Sequence, residues 1–219
     1  MTSLIDHQAL LGCPLLEGLT VAQKEAFLAD CTVHRFDAPT DILKQGEPTP
    51  VFYLIGRGRV EVIYLDKQGN AAVVHVADPG EVLGEVEGLS GTRCASTCRT
   101  LPDAIVLSAT DELLFRHMPP RLIVRNAAAI LQSRLTRDNE LRAIAQFFSV
   151  EERLCIYLHQ FTTDEHREAR LSQSYLAAMV GCSRQTINKL LGDLRREGII
   201  ELRRGAILVL DRERLKIDV

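Results

Sequence analysis

Near Thr110 the hydrophobic pattern of this chain changes period, and that switch constrains the fold more than any other feature. Before it lie short β-rich runs at 51–55, 60–65, 71–76 and 105–107. Their corners fall at Gly56 and Gly58, at residues 66–70, and at Asp78-Pro79-Gly80. Short strands with glycine at the turns predict an antiparallel barrel or jelly roll. A helix precedes them, starting after Thr20, with Gln23 three residues on completing a capping box. Past Thr110 the period is helical. A short helix over 111–117 is stopped by Met118-Pro119-Pro120, and Pro120 opens a long one running to about Phe148. Another follows over 150–161, after a break at Ser149, while 162–170 is polar and reads as loop.

On the long helix, Ile123, Ala127, Ile130, Arg134, Arg137, Leu141, Ile144 and Phe148 recur at alternating spacings of four and three. That is a coiled-coil seam interrupted by arginines. A seam this long exceeds what a small barrel needs, so Ile130, Arg134, Arg137, Leu141, Ile144 and Phe148 are expected to face a second copy of the chain.

The length of 219 residues suits two domains of ordinary size, and the absence of Trp means an aliphatic core. The net charge of -3 hides an asymmetry. Residues 170–216 hold ten Lys and Arg against five Asp and Glu, leaving the rest of the chain near -8. A basic module on an acidic body is the footprint of one domain meeting phosphate. The first residues carry no basic start, so no secretory leader is expected, and Leu10-Leu11-Gly12-Cys13 matches a lipoprotein box only by chance. No run approaches the ~18 apolar residues of a membrane span. The expected setting is the cytoplasm, without membrane attachment, with the six cysteines reduced.

Within the basic module, Ser172 is expected to cap a helix over 173–180, with Leu176, Ala177 and Val180 inward. Gly181 ends it where a left-handed conformation suits glycine, and Ser183 caps a second helix from Arg184 to about Glu197. Two helices around such a turn form a helix-turn-helix. Ile187, Leu190, Leu191 and Leu194 point to the core, and Arg184, Gln185 and Lys189 to the other side. Arginine can hold guanine and glutamine adenine with paired hydrogen bonds in a major groove. The segment 199–210 is a hairpin wing whose tip, Arg203 and Arg204, can reach a phosphate.

These residues resemble the CRP/FNR superfamily of bacterial transcription regulators over nearly the whole chain. The motif Gly181-Cys-Ser-Arg-Gln-Thr-Ile-Asn-Lys-Leu-Leu191 is similar to that family's recognition helix. Gly46-Glu47, Gly58 and Gly80-Glu-Val-Leu-Gly-Glu85 are similar to its cyclic-nucleotide-binding-type barrel. Gly198-Ile-Ile and Leu210-Asp-Arg-Glu-Arg-Leu215 resemble the FNR-like branches. The resemblance implies an α+β chain: a sensor barrel over 1–118, a dimerisation helix over 119–148, and a winged helix-turn-helix over 149–219. It implies a homodimer on palindromic double-stranded DNA, with RNA polymerase as a partner through residues 162–167. By resemblance, Arg184 contacts guanine, Gln173 and Ser183 touch backbone phosphates, and Lys189 makes a groove contact; Ser172 and Thr186 are further expected DNA-binding residues. Gln185 departs from the glutamate common there, which implies altered half-sites.

On the effector side, the resemblance places Gly84 and Glu85 against a ribose and Arg93-Cys94 against a phosphate. The downstream run aligns best with Cys94 in the arginine's place. Asp138 and Asn139 fall where cyclic-AMP proteins carry hydroxyl residues, and an aspartate beside an anion is unfavourable. Cyclic nucleotide and haem both stay open, neither favoured; His34, His75 and His117 are the candidate iron ligands. An FNR-type iron–sulfur cluster is not expected, with only Cys13 and Cys31 near the N-terminus. Cys94 and Cys98 form a candidate redox pair, although in a straight strand they would be roughly 13 Å apart. Cys182, beside a helix N-terminus and Arg184, is expected to have a lowered thiol pKa. No catalytic constellation is found, so the chain is not expected to be an enzyme. A constitutive regulator with a degenerate pocket is the alternative reading.

Overall fold

The computed structural model describes residues 5–69, 71–169, 171 and 173–217. These form two compact units, one up to Arg134 and one from Leu135.

Unit 1 opens with helix α1 (His7–Leu11), a 3₁₀ turn (Pro14–Leu16) and helix α2 (Val21–Asp30). The Thr20 capping box forms as expected, with both reciprocal bonds present. Strands β1 (Thr32–Phe36), β2 (Asp41–Leu43), β3 (Phe52–Arg57), β4 (Val60–Leu65), β5 (Ala71–Ala77) and β6 (Val82–Leu83) follow. Then come helix α3 (Glu85–Ser90), β7 (Thr97–Thr100), β8 (Ala104–Ala109) and helix α4 (Asp111–His117). Two antiparallel sheets result, ordered β1-β8-β3-β6 and β2-β7-β4-β5. Leu43, Val60 and Cys98 from one, and Ile55, Leu83 and Val106 from the other, share one buried cluster. That is the jelly-roll interior. The opposite face of the first sheet, through Phe52, Leu54, Leu107 and Ala109, packs against the helices. Strand β8 is therefore buried on both faces. This is why residues 105–107 read as an unbroken apolar run rather than an alternating one.

Helix α5 (Pro120–Phe147) runs through the unit boundary. Its seam of alternating fours and threes is the inward stripe of the helix. Ile123 and Ile130 are buried in the helical core of unit 1, and Ile144 in the core of unit 2, where Leu141 and Phe148 also pack. Arg134 turns onto its own barrel, as described below. Ile130, Arg134 and Ile144, expected at an interface between copies, thus pack within their own chain. Each such aliphatic side chain contributes about 1.5–3 kcal/mol by leaving water for its own core. One residue further round, Val124, Leu131 and Leu135 are exposed at 69, 47 and 59%.

Unit 2 continues with α6 (Val150–Gln160), capped by a Ser149–Glu152 capping box. Strand β9 (Glu168–Ala169), α7 (Gln173–Val180), α8 (Arg184–Arg196), β10 (Ile200–Arg203) and β11 (Ala206–Val209) complete it. The sheet order is β10-β11-β9. The segment read as loop over 162–170 therefore supplies a third strand, pairing Ala169 with Ile207 and Glu168 with Leu208. Leu154, Leu158, Leu176, Val180, Ile187 and Leu191 form the fully enclosed centre of this unit.

Candidate nucleic-acid interface and effector barrel

Helix α7 ends at Gly181, whose φ of 73° is left-handed, and both Gly181 N and Cys182 N donate to Ala177 O at 3.0 Å. This tight exit brings α7 beside α8, over a buried Ala177. Ser183 then caps α8: its Oγ accepts from Thr186 N at 3.0 Å and lies 2.8 Å from Thr186 Oγ1. With Ile187, Leu191 and Leu194 buried, Arg184, Gln185, Asn188 and Lys189 stand exposed on the other face. The guanidinium and amide that the sequence singled out are thus unobstructed in the first turn of a helix thin enough for a major groove. Gln173 is half-buried as the first residue of α7, while Ser172 lies outside the described residues.

The wing turns at Arg204-Gly205, with Gly205 left-handed at 74°. Its two arginines differ. Arg203 Nε donates to Glu201 at 3.1 Å and its Nη1 lies 3.7 Å from Glu168, whereas Arg204 is exposed at the tip. Other cations of the module are also held by carboxylates: Arg214 by Glu197 at 3.0 Å and Arg196 by Asp193.

Cys182 departs from expectation. Partial burial pushes its thiol pKa up, outweighing the lowering effect of Arg153. The direction is opposite to the lowering expected at this helix start.

In the barrel, Gly84 has a φ of 85°, and a Cβ there would sit 2.9 Å from Leu43 Cδ1, so the position needs glycine. It opens α3 and delivers Glu85 to the interior with no exposed surface. Arg134 Nη2 lies 2.9 Å from Glu85 Oε1 and donates to Val82 O at 2.8 Å. The contact with Glu85 is an ion pair without good hydrogen-bond geometry. Burial outweighs the arginine, and the Glu85 pKa rises to about 6. Sequence reasoning missed this pairing; an arginine at an inward position of a largely apolar helix stripe was its signal.

Arg93 and Cys94 point opposite ways. Arg93 is exposed and donates to Gly46 O at 2.9 Å, while Cys94 is buried in the interior beside Cys98. Asp138 and Asn139 are exposed on the unit 2 part of α5. A cyclic nucleotide needs a cation for its phosphate. Here the inward position carries a neutral thiol, raised in pKa chiefly by burial, and Arg134 is already held by Glu85. The donor set does not fit that ligand. Burial likewise raises the thiols of Cys13, Cys31 and Cys98 to about 11, 12 and 12, which marks them as neutral core groups. His34, His75 and His117 each lie 2.8 Å from a partner: Ser108, Glu81 and Asp30 respectively. Ligating iron through that nitrogen would break the contact. Among the described residues, no group of three or more His, Cys, Asp or Glu is placed to hold a metal. No described helix is long and apolar enough to cross a membrane.

Known families match both units. Residues 33–117 match the cyclic nucleotide-binding domain and residues 152–217 the Crp-like helix-turn-helix domain. A CRP-like cAMP-activated global transcriptional regulator of Mycobacterium tuberculosis is 28% identical over 80% of this chain and 82% of its own length. The cyclic AMP receptor protein of Thermus thermophilus is 25% identical over 90% of this chain and 93% of its own. Among solved structures, the c-di-GMP-responsive global regulator CLP of Xanthomonas campestris superposes with a TM-score of 0.73 at 22% identity. That superposition covers 87% of this chain and 99% of CLP. With a jelly-roll barrel, a Crp-like winged helix-turn-helix and these relatives, the chain belongs to the CRP/FNR superfamily of DNA-binding transcription regulators.

Proposed function

We propose that this regulator acts in the cytoplasm as a homodimer on a palindromic duplex, binding DNA and RNA polymerase rather than catalysing a reaction. One observation carries the reading: Arg184, Gln185 and Lys189 stand exposed on a helix whose opposite face is locked into the unit 2 core. Ser183, Thr186, Gln173 and Arg204 are the phosphate contacts in this reading, with Ser172 added by its place in the sequence. Residues 162–167 offer the polymerase contact. Pairing of two copies uses the exposed stripe Val124, Leu131 and Leu135, which continues the coiled-coil spacing one position beyond the inward seam.

Selection of duplexes from a random pool tests this reading. A two-fold symmetric site should emerge, with affinity falling steeply as salt rises. Gln185→Glu should change the preferred base pair at one position in each half-site; an unchanged consensus refutes the role of Gln185. A second reading concerns gating. The inward Cys94 and the closed Glu85–Arg134 pair favour a regulator that needs no cyclic nucleotide. Equal DNA affinity with and without cyclic AMP supports it, and strong dependence on the nucleotide overturns it.

A further inference from the structure

Gly192 lies in the interior of α8, where glycine is the poorest helix former apart from proline. Glycine is usually kept in such a place for a left-handed backbone or for a close neighbour. Neither applies here. Gly192 is not among the glycines with positive φ, and a Cβ built on it meets nothing within 4 Å. A neighbouring glycine makes the contrast plain, since Gly181 is left-handed where α7 exits. The chain forgoes helix stability at Gly192 for no purpose inside its described structure.

The position on the helix supplies one. Gly192 follows Asn188 by four residues and Gln185 by seven, so it lies on the exposed face between Lys189 and Arg196. It stands about 12 Å along the axis from Arg184, two turns beyond the residues that read bases. A helix with its side chains is about 10–12 Å across and the major groove about 12 Å wide, so there is little clearance. We infer that Gly192 is a DNA-contact position in its own right. The missing side chain lets the sugar-phosphate wall of the groove approach the α8 backbone, setting how deeply Arg184 and Gln185 reach. This rests on the DNA-binding reading given above.

The test uses Gly192→Ala and Gly192→Leu in the full chain. The probe is a duplex enriched from a random pool by the unsubstituted protein. Better helix propensity should raise the melting temperature of the alanine variant by about 2–4 °C. Its affinity for the duplex should nevertheless fall by about tenfold, and further for leucine. Opposite signs in the two measurements exclude a folding defect. An alanine variant that is stabilised and binds as tightly as the parent overturns the inference while leaving the DNA-binding reading intact. Failure of the parent protein to enrich any duplex would instead remove the reading on which it rests.

Discussion

Replacing Glu85 by glutamine is expected to stabilise unit 1 at neutral pH, although it removes one member of an ion pair. The carboxyl group has no exposed surface, and burial lifts its pKa from 4.5 to about 6 despite Arg134 at 2.9 Å. Each tenfold change in proton affinity is worth about 1.4 kcal/mol, so ionising Glu85 in the fold costs on the order of 2 kcal/mol. The sign follows from where the proton binds more tightly, which is the folded state. The stabilising contribution is therefore complete below about pH 4.5 and lost as pH rises through about 6. Glutamine keeps the neutral shape at every pH. In urea titrations at pH 7.5, the unit 1 transition of Glu85→Gln should move up by about 1 M, taking a slope near 2 kcal/mol/M. Thiol labelling of the buried Cys98 reports that transition separately from unit 2. The gap should close by pH 4.5. An unchanged midpoint at pH 7.5, or a gap constant across this range, would refute the argument. Arg134→Gln makes the complementary change. It removes the charge that favours the carboxylate, so Glu85 should hold its proton to higher pH.

Three further outcomes are expected. Leu131→Asp and Leu135→Asp should dissociate the dimer in sedimentation at micromolar concentration, whereas Ile130→Ala should instead cost about 2–5 kcal/mol of stability by opening the core. At pH 7.5 a thiol reagent should label the half-buried Cys182 slowly, but without unfolding. Cys13, Cys31 and Cys98, with thiol pKa values near 11 and 12, should react only on unfolding, as peptide mapping would reveal. Gly84→Ala should lower the stability of unit 1 by about 1–3 kcal/mol, because the left-handed backbone and the Leu43 methyl both resist a Cβ. Thermal melts of that variant matching the parent would remove the steric argument.

What the sequence made legible was local chemistry. The caps at Thr20 and Ser183, the breaks at Ser149 and Met118-Pro119-Pro120 and the Gly181 turn each depend on residues within four of one another, and all form. Where pairing across the fold decides, spacing was insufficient. Two-residue strands such as β6 and β9 exist because β3 and β11 lie beside them, and their own sequences carry almost no period. The long helix shows the limit most clearly. Stripes beginning at Ile123 and Val124 both satisfy the alternation of fours and threes over several turns, and only the location of the cores tells inward from outward. The same applies to charge. Nearness to Arg184 and a helix start suggested a reactive Cys182, but partial burial raises its thiol pKa against the lowering effect of Arg153. The spacing of Arg134 likewise does not reveal the ion pair that it makes with the buried Glu85.

The carboxylates that hold Arg196, Arg203 and Arg214 bear on how this protein would move through a genome. Cations already neutralised by their own module release few counterions on meeting arbitrary DNA, so non-specific adhesion is weaker than the ten lysines and arginines over 170–216 suggest. Arg184 and Lys189, on the exposed face of α8, stand where shape and hydrogen bonding must also match. Such a module discards wrong sites by leaving them quickly. It spends less of its time trapped along the chromosome and more of it sampling the symmetric sequences it can hold.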